Sequence, residues 1–287
     1  MSDWPALRAA AAHDVAARVP LSVNGTRVGA VARAHLGALR AWPTVLHVDD
    51  TQVALHVNAG ALRSVLAQLN ASLRQQGLIH AWRDEAIALF DPASGVRLAT
   101  MERAAARFWG TLTLGAHANG YVADAQGRPT HLWIAQRSMT KATDPGKHDN
   151  LVGGGVPDDQ SPQQALVREA WEEAGLPPEL MQGARAGSVL CLQRDIREGL
   201  QHEWLYAFDL QLPAGLIPQN QDGEVAGFEC LPLDEALRIA AGDTMTVDAA
   251  LVTLDFALRR ALLPAAQRQL LEARWHDCCV SAAIQHH

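Results

Sequence analysis

Glu169, Glu172 and Glu173 lie three and four residues apart, directly after Arg168 and downstream of Gly153-Gly154-Gly155. Their spacing places all three carboxylates on one side of a helix, within about a 100° arc. Each like-charged pair at this spacing costs roughly 0.2–0.5 kcal/mol. Glu172 and Glu173 also fall at the carbonyl end of the helix dipole, where negative charge is disfavoured. A divalent cation reverses that balance, because Mg²⁺ or Mn²⁺ takes hard oxygen ligands and can bridge carboxylates to phosphates. A metal seat for phosphate chemistry is one reading, and a solvated acidic face is the other.

The helix that carries these residues is well delimited. Ser161 is a suitable N-cap with Gln164 three residues on, Pro162 suits the first helical position, and Gly175 followed by Pro177-Pro178 supplies the stop. These signals predict a helix over Pro162 to Ala174, with Leu166, Val167, Ala170, Trp171 and Ala174 gathered on the side opposite the carboxylates.

The segment resembles the Nudix box, Gly-x5-Glu-x7-Arg-Glu-U-x-Glu-Glu-x-Gly-U, where U is bulky and aliphatic. Gly154, Arg168, Glu169, Glu172, Glu173, Gly175 and Leu176 match; Gln160 stands where the box has its first Glu, and Ala170 is smaller than usual. The resemblance implies an α+β fold, a Nudix α/β/α sandwich with a mixed sheet, and hydrolysis of a diphosphate by water with Mg²⁺ (or Mn²⁺) as cofactor. It makes Glu169, Glu172, Glu173 and the Gly153 carbonyl metal ligands. Glu169 is then also the candidate acceptor of the water's proton, and Arg168 orients a neighbouring carboxylate. Gln160 bears on the number of metals, although an amide oxygen still coordinates.

Four further segments, Trp82 to Glu85, Glu102 to Ala105, Gly115 to Tyr121 and Lys141 to Gly155, are similar to Nudix proteins related to thiamine pyrophosphokinase, which carry an extra N-terminal domain. That similarity implies thiamine diphosphate, or oxidised and damaged forms of it, as substrate and the monophosphate as product. Arg137, Lys141 and Lys147, in the loop before the triple glycine, are candidate phosphate-binding cations, with solvated loop charges as the alternative. Trp133, Trp204 and Tyr206 could stack on a heterocycle or pack in the sheet; His117, His148, Asp222 and Glu224 are weaker candidates. Three other functions remain open: a general nucleotide-cleaning pyrophosphatase, an isopentenyl-diphosphate isomerase-like enzyme needing a protonating Cys, and a non-catalytic diphosphate sensor.

The chain has 287 residues, enough for two modules, with 48% hydrophobic and 19% charged residues. Its net charge of −7 argues against nucleic acid as a partner and requires local cations for a small-molecule diphosphate. No stretch is long and apolar enough to span a bilayer and Met1 to Pro5 does not resemble a signal peptide, so no membrane partner and a cytoplasmic address are expected. The state is a monomer or homodimer. Cys191, Cys230, Cys278 and Cys279 form no disulfide framework, and His276 with Cys278 and Cys279 lacks zinc-ligand spacing.

Two parts are expected, a smaller α+β accessory domain over 1–108 and a hydrolase domain over 109–287. In the first, strands flank Asn24-Gly25 and Asp49-Asp50, a helix runs from Leu62 to Gly77, strands flank Asp91-Pro92, and a short helix runs from Glu102 to Phe108. In the second, strands are expected at Thr111 to Leu114, Gly120 to Ala123, His131 to Ala135, Ser188 to Leu192 and Trp204 to Leu210. A polar loop spans Arg137 to Asn150, and helices span Leu233 to Ala240 and Val247 to Leu263.

Overall fold

A computed structural model describes residues 4–141 and 143–275. His276, Cys278 and Cys279 lie outside the described residues. In chain order the elements are α1 (Pro5–Ala10), β1 (Arg18–Val23), β2 (Thr26–Ala32), α2 (Leu36–Leu39), β3 (Leu46–Val48), β4 (Val53–Leu55), α3 (Leu62–Gln75), β5 (Ala86–Phe90), β6 (Arg97–Glu102) and α4 (Arg103–Trp109). They continue with β7 (Leu112–Ala123), β8 (Pro129–Arg137), β9 (His148–Asp149), β10 (Val152–Gly155), α5 (Pro162–Ala174), α6 (Pro178–Met181), β11 (Arg185–Ile196), β12 (Gly199–Gln211), β13 (Val225–Pro232), α7 (Leu233–Ala240), α8 (Val247–Arg259) and α9 (Ala265–Trp275).

The β1–β2 hairpin turns where expected, with Asn24 and Gly25 both at positive φ, 50° and 89°. β1 and β2 join β4 and β3 in a four-stranded sheet, β5 pairs with β6, and α3 packs its Leu62, Leu66, Leu69 and Leu73 stripe into the same core. α4 leads out of this core with its N-cap Glu102 accepting from the Ala104 N–H and Gly110 closing it in the left-handed region.

The second sheet runs β11-β12-β7-β8-β13, with β10 on β7 and β9 on β8. β12 and β7 are parallel and the other pairings antiparallel, so the sheet is mixed. Alternation along β12 splits its side chains. Leu205 and Ala207 join a core with α7 and α8, while Phe208 and Leu210 join a core with α5. Helices thus cover both faces, giving the expected α/β/α sandwich. Trp4, which precedes α1, and Leu7 and Ala10 of α1 pack into the α7–α8 core, so this segment returns to the second sheet.

Three local expectations need correction. The two strands expected around Gly115 to Asn119 are one strand, β7, because Ala116 and Ala118 are fully buried and the intervening polar side chains find partners inside the protein. Trp171 is 53% exposed rather than part of the apolar face of α5, which is made of Ala165, Leu166, Ala170 and Ala174 with Val167 packed at its edge. α8 stops at Arg259, short of Leu263, and Ala261 follows at φ 52°. Among the described residues no helix is long and apolar enough to cross a membrane.

Candidate active site

α5 has the boundaries its caps predict: Ser161 Oγ accepts from the Gln164 N–H, Gln164 Oε1 accepts from the Ser161 N–H, and Gly175 takes φ 63°. The helix lies beside β10, and the triple glycine explains how. A Cβ on Gly153 would stand 2.5 Å from the His117 ring, one on Gly154 2.3 Å from the Glu169 carboxyl group, and one on Gly155 2.5 Å from the Arg103 guanidinium. Three site side chains from three elements therefore rest directly on glycine backbone. Gly154→Ala is expected to push the Glu169 carboxylate out of place and lower kcat/KM roughly ten- to a hundredfold with little change in melting temperature. A variant with wild-type turnover would show that this close contact has no catalytic importance.

Glu169, Glu172 and Glu173 differ in setting. Glu173 is buried and accepts from the Gly153 N–H at 3.0 Å, with Lys141 Nζ at 3.6 Å. Burial pushes its carboxyl up to about 8. Burial also raises Glu169, against the pull of Arg168. Arg168 spans the cluster, donating to Glu169 Oε1 at 2.8 Å, to Glu172 Oε2 at 2.6 Å and to Gln160 Oε1 at 3.3 Å. Arg168 thus orients two carboxylates rather than the one expected.

A cavity of about 370 Å³ opens over this surface. Among the candidate cations, Arg137 and Lys141 line it. Arg137 is largely committed, donating to Asp149 at 2.7 Å and to the Thr143 and Asp144 carbonyls, and so pins the loop before β9. Lys141 pairs with Glu224, which lines the cavity together with Asp222. Lys147 does not line it and pairs with Asp144 at 2.9 Å.

His117 lines the cavity, whereas His148 does not. Trp133 and Trp204 are buried in the sheet cores and Tyr206 packs beside them, so none of the three aromatics reaches the cavity. Cys191 and Cys230 are free thiols away from it, which removes the basis for isomerase chemistry by either residue.

The sequence reading missed Arg83, Arg103 and Arg107, contributed by the first half of the chain, and the buried acids Glu203 and Asp248. Arg103 grips Glu85 through Nη1 at 2.9 and 3.0 Å, and Arg107 reaches Glu203 at 3.3 Å. The Gln201 amide donates to Glu203 at 2.8 Å and to the Asp248 carboxylate at 3.3 Å. Burial and the Glu203 charge push the Asp248 carboxyl up. Arg83 and Arg103 fall inside the segments Trp82 to Glu85 and Glu102 to Ala105, which was the available signal.

The donor set suits a hard divalent ion. Glu169, Glu172 and Glu173 offer only oxygen, and the buried Glu173 lacks a full countercharge. Among the described residues, however, no three acid, imidazole or thiol side chains already form a finished cation site. Glu169 and Glu172 turn toward Arg168, and Glu173 toward Gly153 and Lys141.

Residues 113–250 match the NUDIX domain model, and residues 6–113 match a domain of unknown function, DUF4743. Residues 113–250 belong to the Nudix superfamily. Nudix hydrolase 24, chloroplastic, from Arabidopsis thaliana is 35% identical over 192 residues, covering 67% of this chain and 52% of the relative. Nudix hydrolase 20, chloroplastic, from the same plant is 34% identical over 193 residues, covering 67% and 51%. The chain therefore spans about half the length of these curated relatives. Among solved structures, the crystal structure of DR0079 from Deinococcus radiodurans aligns with 60% of this chain and 99% of its own, at 24% identity and a TM-score of 0.46.

Proposed function

We propose that the chain is a divalent-metal-dependent hydrolase of a diphosphate linkage. The observation that carries this reading is the placement of Glu169 and Glu172, with Glu173 buried behind them, on the wall of a cavity that also gathers Arg83, Arg103, Arg107, Arg137 and Lys141, in a chain whose net charge is −7. Carboxylates suited to a cation and guanidinium groups suited to phosphate oxygens line one space.

Glu169, Glu172 and Glu173, with the Gly153 carbonyl, would hold Mg²⁺ or Mn²⁺. When bound, the ion supplies charge neutralisation at the phosphate oxygens and makes water more acidic. Glu169 takes the proton of the attacking water at a carboxylate oxygen; its raised pKa makes it a stronger acceptor than an ordinary carboxylate. Arg168 holds Glu169 and Glu172 in place and is itself braced by Gln160. Lys141 and the arginines across the cavity bind the phosphate oxygens.

The narrower substrate reading is thiamine diphosphate or its oxidised and damaged analogues, cleaved to the monophosphate. Its support is convergence: the four segments similar to the thiamine-related proteins all send residues to this cavity, through Arg83 and Glu85, Arg103, His117, and Lys141 with the triple glycine. Because no Phe, Tyr or Trp among the described residues lines the cavity, polar contacts hold the organic group, with Glu203 and Asp248 available to a cationic or hydrogen-bond-donating ring.

Incubation with Mg²⁺ and a panel of thiamine diphosphate derivatives, nucleoside diphosphates and dinucleotides, followed by assay of phosphate and monophosphates, tests both levels. Thiamine monophosphate or its analogues are the expected products. Preferential cleavage of nucleotides overturns the thiamine reading in favour of a general pyrophosphatase, and no product from any compound favours the sensor.

A further inference from the structure

A second cavity, of about 490 Å³, shares Arg83, Arg103, Arg107 and Asp248 with the first and extends it away from α5. It is walled by five arginines, Arg83, Arg103, Arg107, Arg194 and Arg197. They come from two places: residues 83–107, matched by the domain of unknown function, and the β11–β12 turn region of the Nudix sheet. Three acids, Asp144, Glu198 and Asp248, share the walls, but Asp144 is taken by Lys147 and Asp248 by the Gln201 amide.

The cationic groups are not used up by the fold. The Arg83 guanidinium makes no hydrogen bond or ion pair to a described residue; only its backbone N–H is engaged, by Glu102. Arg107 Nη1 is buried without an acceptor. Arg194 spends its Nε on Gln201, at 2.8 Å, and Arg197 stands exposed with no partner among the described residues. Desolvation in the cleft, with the neighbouring Arg103, pushes the Arg83 pKa down, while Glu85 and Glu102 oppose that shift. Folding pairs Arg103 with Glu85 and Arg107 with Glu203, but it does not reward placing Arg83, Arg194 and Arg197 beside them around one space in an acidic chain. A multiply charged anion does, because guanidinium forks match phosphate oxygens.

We propose that this second cavity is a phosphate-binding subsite, and that presenting Arg83, Arg103 and Arg107 to it is what the N-terminal domain contributes. An anionic phosphoryl group sits among the arginines while the scissile linkage lies over the α5 carboxylates; this last clause rests on the diphosphate-hydrolase reading, whereas phosphate binding does not. The step is binding only, with no bond made or broken in the second cavity.

The test is calorimetric titration of the full chain with inorganic phosphate in EDTA, where the α5 carboxylates carry no metal to attract an anion. The wild type is expected to bind. Arg83→Ala and Arg197→Ala are each expected to weaken binding at least about tenfold, the size of one charge-assisted hydrogen bond. Arg40→Ala, at the Asp50 ion pair in the N-terminal sheet, is expected to leave binding unchanged. Arg197 is exposed, so its loss leaves the fold intact, and melting curves check Arg83→Ala. No binding by the wild type, or equal binding by the Arg83 and Arg197 variants, overturns the proposal. Inhibition then identifies the source: competition between phosphate and the diphosphate substrate marks the subsite as the seat of the substrate's own phosphoryl group. Saturable binding without competition marks it as a site for free phosphate and overturns the substrate half. If the protein hydrolyses nothing, the EDTA titration still decides whether the site exists.

Discussion

Glu169→Gln is expected to fold, to melt at or above the wild-type temperature, and to lose Mg²⁺-dependent diphosphate hydrolysis by about 10²-fold or more, the usual size of a general base. The substitution keeps the volume of the side chain and its fit over the Gly154 backbone, where there is no room for even a Cβ. It keeps one acceptor for the Arg168 N–H at 2.8 Å. What it removes is the negative charge of a carboxylate that burial has made more basic than an ordinary one. A solvated acidic face would tolerate this change, since single exposed charges on a helix are worth a few tenths of a kcal/mol. Steady-state kinetics under saturating Mg²⁺, with circular dichroism as the check on folding, separate the two cases. Equal turnover by mutant and wild type rules out the assignment of Glu169.

The elements that the sequence made legible are those whose signals are local. α5 declares itself through Ser161, Gln164 and Gly175, each acting within one turn of the helix end, and the β1–β2 hairpin through Asn24-Gly25. β7 is obscured because its middle is built of small and polar residues. Ala116 and Ala118 face α5, while Asn119 donates to the Val252 carbonyl of α8 at 3.1 Å and His117 meets Asn150 at 3.1 Å. Alternation of that kind looks like a loop until the partners on both sides are in place.

The site divides in the same way. The carboxylates and the triple glycine share one short stretch, so their association could be read directly. The arginines could not, because Arg83, Arg103 and Arg107 meet the cavity only when α4 docks on β12. Trp171 was misplaced for a different reason: it lies at the edge of the apolar stripe, where a helical wheel cannot tell a covered position from an open one.

Relative to Glu173→Gln, the metal-free wild type is expected to lose stability as the pH rises from about 5 to above 8, a comparison in which the opposite contribution of His202, its pKa lowered to about 4 by burial, cancels. The Glu173 carboxyl is raised from 4.5 to about 8 by burial. Between those values the folded protein holds a proton that the unfolded chain releases, so stability is greatest below the lower one and falls as the pH climbs through the upper one. A shift of that size corresponds to on the order of 5 kcal/mol. Lys141 at 3.6 Å does not cancel the cost, because it is shared with Glu224 and its own burial lowers its pKa. Mg²⁺ or Mn²⁺ is expected to restore stability at high pH in the wild type, since a bound ion favours the ionised carboxylate and adds its binding free energy to folding. Glu173→Gln keeps an acceptor for the Gly153 N–H and has no charge to bury, so in EDTA above pH 8 it should melt higher than the wild type yet gain less from added metal. Thermal melts across this pH range, with EDTA and with each ion, read both effects. A wild-type profile in EDTA that runs parallel to that of the variant, or a variant that gains as much from metal as the wild type, means that Glu173 is not the buried charge that calls for the cation.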